Sequence, residues 1–145
     1  MNDKSLSDKS FLDTNILVYA YDSAAGIRHE RAKALLEQLW SSGQGVLSTQ
    51  ILQELCVSLQ RKVARPLSLA ETRRIVQPYL AWEVVVNTPL AAIEALVVAS
   101  RYQVSYWDGL VLHAAEAAGA VVLYSEDFSH GQKYGSVRVV NPFHE

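Results

Sequence analysis

The chain of 145 residues has a single cysteine, Cys56, so it can form neither an internal disulfide nor a cysteine-built zinc site. That thiol lies in an apolar helical stretch and reads as a small core residue. No apolar run reaches the ~20 uncharged residues of a membrane span. Glu94 interrupts Leu90–Ala99, and His113 and Glu116 interrupt the segment after Leu110. The first ten residues are polar and mixed in charge, without the apolar stretch of a secretory leader. A soluble, cytoplasmic protein is therefore expected.

Other signatures are missing too. His29, His113, His130 and His144 show no ligand spacing, and all four are expected at the surface. There is no HExxH helix, no glycine-rich phosphate loop, no dinucleotide fingerprint and no serine nucleophile elbow. Nor is there an excess of charge: 13 Lys and Arg against 15 Asp and Glu leave a net −2. That balance argues mildly against a nucleic-acid binder, which is often basic. The positive charges are uneven, however, with Arg28, Arg31 and Lys33 in one cluster and Arg61, Lys62, Arg65, Arg73 and Arg74 in another. Such clusters can meet phosphates, though solvated helix faces are their commoner meaning.

What is present is a hydrophobic half of the chain, arranged as strands alternating with helices. One domain spanning 1–145 is expected at this length, since domains commonly hold ~100–150 residues. Strands are predicted at Ser10–Asp13, Gly45–Thr49, Glu83–Asn87, Ala120–Tyr124 and Val137–Val140. Helices are predicted over Asn15–Tyr21, 29–42, Gln50–Arg61, from Ser68 toward Ala81, from Thr88-Pro89 to about Tyr102, and from Ser105 to Ala118. Ser68 to Glu71 is a capping box, and Pro89 suits a first helical turn. This alternation implies an α/β fold with right-handed crossovers and a mainly parallel sheet covered on both faces.

In such sheets ligands bind beyond the carboxyl ends of the strands, at a switch point. Asp13 and Asp127 fall at the ends of the first and fourth predicted strands. Glu54 lies in the first turns of the helix after the second strand, and Asp108 in the first turn of a later helix. Each has an ordinary explanation taken singly: Asp13 as an N-cap, Glu54 as a solvated helical acid, Asp108 paired with Ser105 at a cap, Asp127 as a turn former. Together they can meet at one edge, where carboxylates repel and take up protons unless a cation sits among them. Hard oxygen donors suit Mg²⁺ or Mn²⁺, and such a site suits phosphate-ester chemistry. Glu126 is an alternative to Asp127, and Asp22 is expected to be solvated.

At these residues the chain resembles the PIN-domain family, in particular VapC-type toxins of bacterial toxin–antitoxin pairs. The segments that carry the resemblance are Phe11-Leu12-Asp13-Thr14-Asn15-Ile16-Leu17-Val18-Tyr19, Gln50–Leu55, Tyr106-Trp107-Asp108-Gly109-Leu110 and Leu123-Tyr124-Ser125-Glu126-Asp127-Phe128. The resemblance implies a three-layer α/β/α sandwich around a twisted sheet of about five strands. It also implies a Mg²⁺- or Mn²⁺-dependent endoribonuclease silenced by an antitoxin protein. Asp13, Glu54, Asp108 and Asp127 would form the acidic site, with Asp13, Asp108 and Asp127 toward the metal and Asn15 and Ser125 as polar helpers. The pattern favours Asp127 over Glu126. Gly109 stands where Ala is frequent, which should loosen a helix start, and Ser125 stands where Thr is frequent.

Two rival readings remain open: a metal-dependent phosphohydrolase of small substrates, and a protein-binding module with a weakened acid site. Apolar residues beyond the needs of one core, in Gln50–Arg61 and Leu90–Ala99, suggest a two-fold dimer. Apolar Asn15–Tyr21 and Gln50–Arg61 are the expected walls of a groove for the antitoxin.

Overall fold

The computed structural model describes residues 8–144, so most of the polar opening segment lies outside the described residues. Six strands form one sheet in the order β3-β2-β1-β4-β6-β5. They are β1 (Ser10–Leu12), β2 (Gly45–Ser48), β3 (Glu83–Val85), β4 (Val122–Tyr124), β5 (Lys133–Tyr134) and β6 (Val137–Val140). Every neighbouring pair is parallel except β5 with β6. The sheet thus has one strand more than the sequence suggests. The extra strand is β5, two residues long, joined to β6 through Gly135 and Ser136. Gly135 has φ +60, which a two-residue hairpin turn requires and glycine supplies cheaply.

Strands β1 and β2 are buried along their whole length, as central parallel strands covered on both faces must be. The covering helices are α1 (Thr14–Ala20), α2 (Ile27–Ser42), α3 (Thr49–Arg61), α4 (Leu69–Val76), α5 (Pro89–Tyr102) and α6 (Tyr106–Ala117). Helices α2 and α3 each pack on α1, and α5 and α6 pack as a pair. The path runs from β1 outward to β3, then crosses back to β4. Right-handed crossovers therefore put the two helix groups on opposite faces, giving three layers.

Local chemistry explains where the elements end. The helix opened by Ser68 stops at Val76 rather than continuing toward Ala81, and Gln77–Ala81 tightens into a 3-10 turn. Pro78 is the cause, because its ring has no N–H to donate and clashes with the preceding turn. Strand β3 ends at Val85, two residues short of expectation. Asn87 has left the ladder, and its Oδ1 accepts from the Thr49 hydroxyl and the Gln50 amide, both at 2.9 Å. This ties the strand's exit to the start of α3. Asp22 is half-buried rather than solvated, because its carboxylate accepts the Ala24 amide and caps a short 3-10 turn at Ser23–Ala25.

Two histidines are not plain surface groups. His29 Nδ1 donates to the Tyr19 carbonyl at 2.9 Å, and His113 meets Glu94 at 3.4 Å. His130 and His144 are exposed, as expected, and stack on each other. Cys56 is half-buried against the core. Among the described residues no helix is long and apolar enough to cross a membrane.

Candidate active site

The order of the sheet fixes the site. Strands β1 and β4 are neighbours from which the chain leaves in opposite directions, so their carboxyl ends form the switch point. Leu12 pairs with Tyr124 in parallel register. The next residue on each strand is therefore a neighbour of the other, and these are Asp13 and Ser125. Ser125 Oγ donates to Asp13 Oδ2 at 2.8 Å, and the Thr14 amide donates to Oδ1 at 2.9 Å. Asp13 is thus the N-cap of α1, as its ordinary explanation requires, and it also faces a cleft. Ser125 Oγ in turn accepts the Asp127 amide at 3.0 Å, which shapes the turn after β4.

The period of that turn separates Glu126 from Asp127. Ser125 and Asp127 point to the cleft side. Glu126 points away, where Oε1 accepts the Tyr19 hydroxyl at 2.8 Å and Oε2 accepts Arg28 Nε at 2.6 Å. Glu126 is thereby engaged in a bridge between the β4 turn and α1–α2, and Asp127 is the acid that lines the cleft.

Glu54 reaches the same cleft from α3, whose start is held by Asn87 and by the Ser48 cap. Its Oε1 accepts the Thr14 hydroxyl at 2.5 Å and its Oε2 accepts Gln50 Nε2 at 3.2 Å. Asp108 enters from the first turn of α6. The cap there is the Ser105 hydroxyl, which accepts the Asp108 amide at 3.1 Å. The cleft of about 390 Å³ is lined by Asp13, Asn15, Glu54, Asp108 and Asp127, together with Thr14, Gln50, Gln53, Lys62 and Trp107. The structure therefore brings all four acids to one cavity, with Asn15 at its exposed rim and Ser125 beneath Asp13.

Electrostatics follow from this crowding. Burial pushes the Asp13 carboxyl up to about 6, with Asp127 and Asp108 adding to the rise and the Ser125 and Thr14 hydrogen bonds opposing it. Asp108 is raised above the ordinary aspartate range by burial and by the charges of Asp127 and Glu54, against a Ser105 hydrogen bond. Carboxylates that hold one another's protons on are suited to a cation. Among the described residues no three acid, histidine or cysteine side chains stand close enough to encircle an ion as they lie. Mg²⁺ does not require that, because it keeps several waters and uses only one or two carboxylates. The donor set of all-oxygen groups on an open cleft fits such an ion.

Two residues of the site were not expected. Thr14 fixes Glu54 from α1, and Gln50 fixes it from within α3. Gln50 sits four residues before Glu54, a spacing that places both on one helix face and was readable as such. Thr14 left no signal beyond its place next to Asp13, because its partner is 40 positions away. The partner groove expected between α1 and α3 is reduced. Ile16, Leu17 and Val18 of α1 are buried in the core, and the exposed apolar group on that side is Val57 of α3.

With this geometry in view, a model of the PIN domain matches residues 10–134. The chain belongs to the PIN domain family. Among solved structures, this PIN domain is similar to a toxin–antitoxin complex from Klebsiella pneumoniae, at 17% identity and a TM-score of 0.70 over 94% of this chain and 100% of that one. It is also similar to VapC20 of Mycobacterium tuberculosis, a toxin that cleaves the sarcin–ricin loop, at 20% identity and 0.63 over 90% and 99%. A third is the DNA-bound VapBC of Salmonella typhimurium, at 19% identity and 0.61 over 90% and 96%. At these identities the likeness is one of fold. No curated protein matches the chain.

Proposed function

We propose that this PIN domain, one domain over 1–145, is a Mg²⁺- or Mn²⁺-dependent endoribonuclease of the cytoplasm, the toxin of a toxin–antitoxin pair. The observation that carries the reading is that carboxylates from four separate elements line one open cleft at the sheet's switch point. Among the described residues no lid covers the cleft, and an open cleft favours a polymer over a small closed-in substrate. A divalent ion, when bound, supplies the Lewis acidity that hydrolysis of a phosphodiester needs.

The chain's own groups do the rest. Asp13 and Asp108, with Asp127 beside them, present the negative oxygens that hold the cation. Thr14 and Gln50 lock Glu54 in one orientation, so that it can align a water for in-line attack on phosphorus. The bond to the leaving 3′-oxygen breaks, giving a 3′-hydroxyl and a 5′-phosphate. Lys62 lines the same cleft and offers a cation to the RNA backbone. Incubation with RNA in Mg²⁺, in Mn²⁺ and in EDTA is the test. Cleavage is expected in the first two and not in the third, and metal-independent cleavage would reject the reading.

The toxins in the similar structures include some solved with an antitoxin, which supports a protein partner for this chain. An arginine from such a partner would bond two carboxylate oxygens at once and close the cleft to phosphate. A stable complex with the product of the neighbouring gene that kept full activity would count against inhibition. A homodimer is the third part of the proposal, and its surface is the outer face of α5.

A further inference from the structure

The lip of the cleft carries an aromatic ring that the acid chemistry does not use. Trp107 is 62% exposed and stands one residue before Asp108. It is held at two points. Tyr106 packs edge-on against it, with ring centroids 5.1 Å apart at 83°, and the Tyr106 hydroxyl is itself anchored on the Ala92 carbonyl at 2.8 Å. The Trp107 carbonyl accepts Gln50 Nε2 at 3.4 Å, the same nitrogen that donates to Glu54. Gln50 is only 6% exposed, and its Oε1 has no hydrogen-bond partner. A buried acceptor without a donor is costly, and a hydroxyl or amino proton arriving with a ligand would satisfy it.

The backbone under the ring is therefore tied to Gln50, one edge of the ring rests on Tyr106, and the rest stays open at the cleft. Around it the lining mixes Gln53, Lys62 and Asp108 with the apolar Val57 and Val111, so a ligand with both a flat apolar face and charged oxygens suits it. Resting on the nuclease reading of the cleft, we infer that Trp107 is a stacking platform for one unpaired base of single-stranded RNA, next to the phosphate that is cut. A base offers its face to an indole only when it is out of a duplex. Its sugar-phosphate then lies toward Asp108, and Lys62 holds the backbone elsewhere in the cleft. The platform would make the enzyme choose single-stranded regions while remaining tolerant of sequence.

The test uses the full chain, Trp107→Ala and Trp107→Phe, each checked for an unchanged melting temperature. Fluorescence anisotropy with a labelled single-stranded RNA in Ca²⁺ buffer reads binding. Trp107→Ala is expected to bind about tenfold more weakly, within the roughly five- to 150-fold range that one stacked base gives. Trp107→Phe should recover most of the loss. Abasic substitution along the RNA should reveal one position where the intact chain loses the same factor and Trp107→Ala loses nothing, a coupling that a purely structural role would not produce. Equal affinity of all three chains, or no such position, overturns the platform. So does a change of oligomeric state in Trp107→Ala by sedimentation, which would assign the ring to a protein contact. If Asp13→Asn abolishes cleavage while Trp107→Ala binds normally, the nuclease reading stands and the platform falls. If base-specific coupling appears but RNA is never cut, the nuclease reading falls, and Trp107 stands as a base-stacking site without a cut phosphate beside it.

Discussion

The acid cleft and the outer face of α5 are both left unfinished by this chain, for opposite reasons. In the cleft, four carboxylates are gathered with only Lys62 as counter-charge in the lining. Asp13 is buried enough for its carboxyl to rise to about 6, and its neighbours push in the same direction. On α5, apolar surface is gathered without cover. Of its 14 residues only Ala91 and Ala95 are buried, while Leu90 and Ile93 are 65% and 61% exposed, and Leu96, Val97 and nearby Val86 are also open to water. The difference is one of remedy. A cation answers the first, acting locally and through ionic strength and pH. Only area answers the second, and a two-fold copy of the same face supplies it in proportion to protein concentration. Metal and dilution should thus act on separate surfaces.

The largest effect expected is on the cleft. Asp13→Asn and Asp108→Asn keep size and capping but remove charge. Groups that merely orient a ligand cost ~10–100-fold when lost, so each of these changes should lower RNA cleavage by more than ~100-fold. Their oligomeric state should not move. Cleavage assays beside sedimentation check both halves, and full activity in either folded variant would break the assignment of charge to catalysis.

Next comes α5. Ile93→Glu puts a charge in the middle of the bare face, and about 2 kcal/mol, or roughly 30-fold in dissociation constant, is expected if that face pairs. Sedimentation across micromolar concentrations should show dimer for the parent chain and monomer for the variant, with metal-dependent cleavage retained. A parent chain that stays monomeric would leave the apolar face without its proposed use.

The cleft and α5 are joined at Gly109, on the buried side of that helix, and there the third prediction lies. A Cβ on Gly109 would stand 2.8 Å from the Ala95 carbonyl oxygen and 2.9 Å from Ala99 Cβ. The glycine is what lets α5 lie close on α6, with Asp108 on the next residue, rather than a loosened helix start. Gly109→Ala gains helix propensity of about 1 kcal/mol, but overpacking costs ~1–3 kcal/mol. A net loss of about 1 kcal/mol or more in thermal or denaturant melts is expected, with cleavage falling through displacement of Asp108. A stabilised variant would show that the helices can part freely and that the regions are not coupled.

How much of this was legible in the sequence depends on the range of each signal. Strand ends and caps are local, so Leu12-Asp13 and Ser105-Tyr106-Trp107-Asp108 could be placed at an edge from their own neighbours. The register that sets Ser125 against Asp13 is a property of β1 and β4 together, and the sequence offered only the order of the acids. The preference for Asp127 over Glu126 rests on family pattern in the sequence, whereas the structure bonds Glu126 to Tyr19 and Arg28, 107 and 98 positions away, and lines the cleft with Asp127. Strand β5 was missed because two residues carry no period, although Gly135-Ser136 is a turn signal. Helix α5 reads as apolar nearly all round, which usually means burial. Only the tertiary packing shows that one side of it stays bare.

The smallest effect tests the cleft without any substrate. Asp13 binds a proton more tightly in the folded chain, at about 6, than in the unfolded one, near 3.8. Between those values the folded state carries more protons, so rising pH removes stability. The penalty is absent below the unfolded value and fully present above the folded one. Its ceiling is about 3 kcal/mol, since each tenfold in proton affinity is ~1.4 kcal/mol. Asp13→Asn never carries the charge but weakens the bond with Ser125, so a net gain of about 1 kcal/mol at neutral pH in EDTA is expected, vanishing toward pH 4. Adding Mg²⁺ should then raise the melting temperature of the parent chain more than that of the variant, because only the parent has the full set of negative oxygens to bind it. A variant that melts lower than its parent at neutral pH in EDTA would show that the hydrogen bonds of the charged carboxylate with Ser125 and Thr14 outweigh its burial, and that the cleft's charge is not a source of strain.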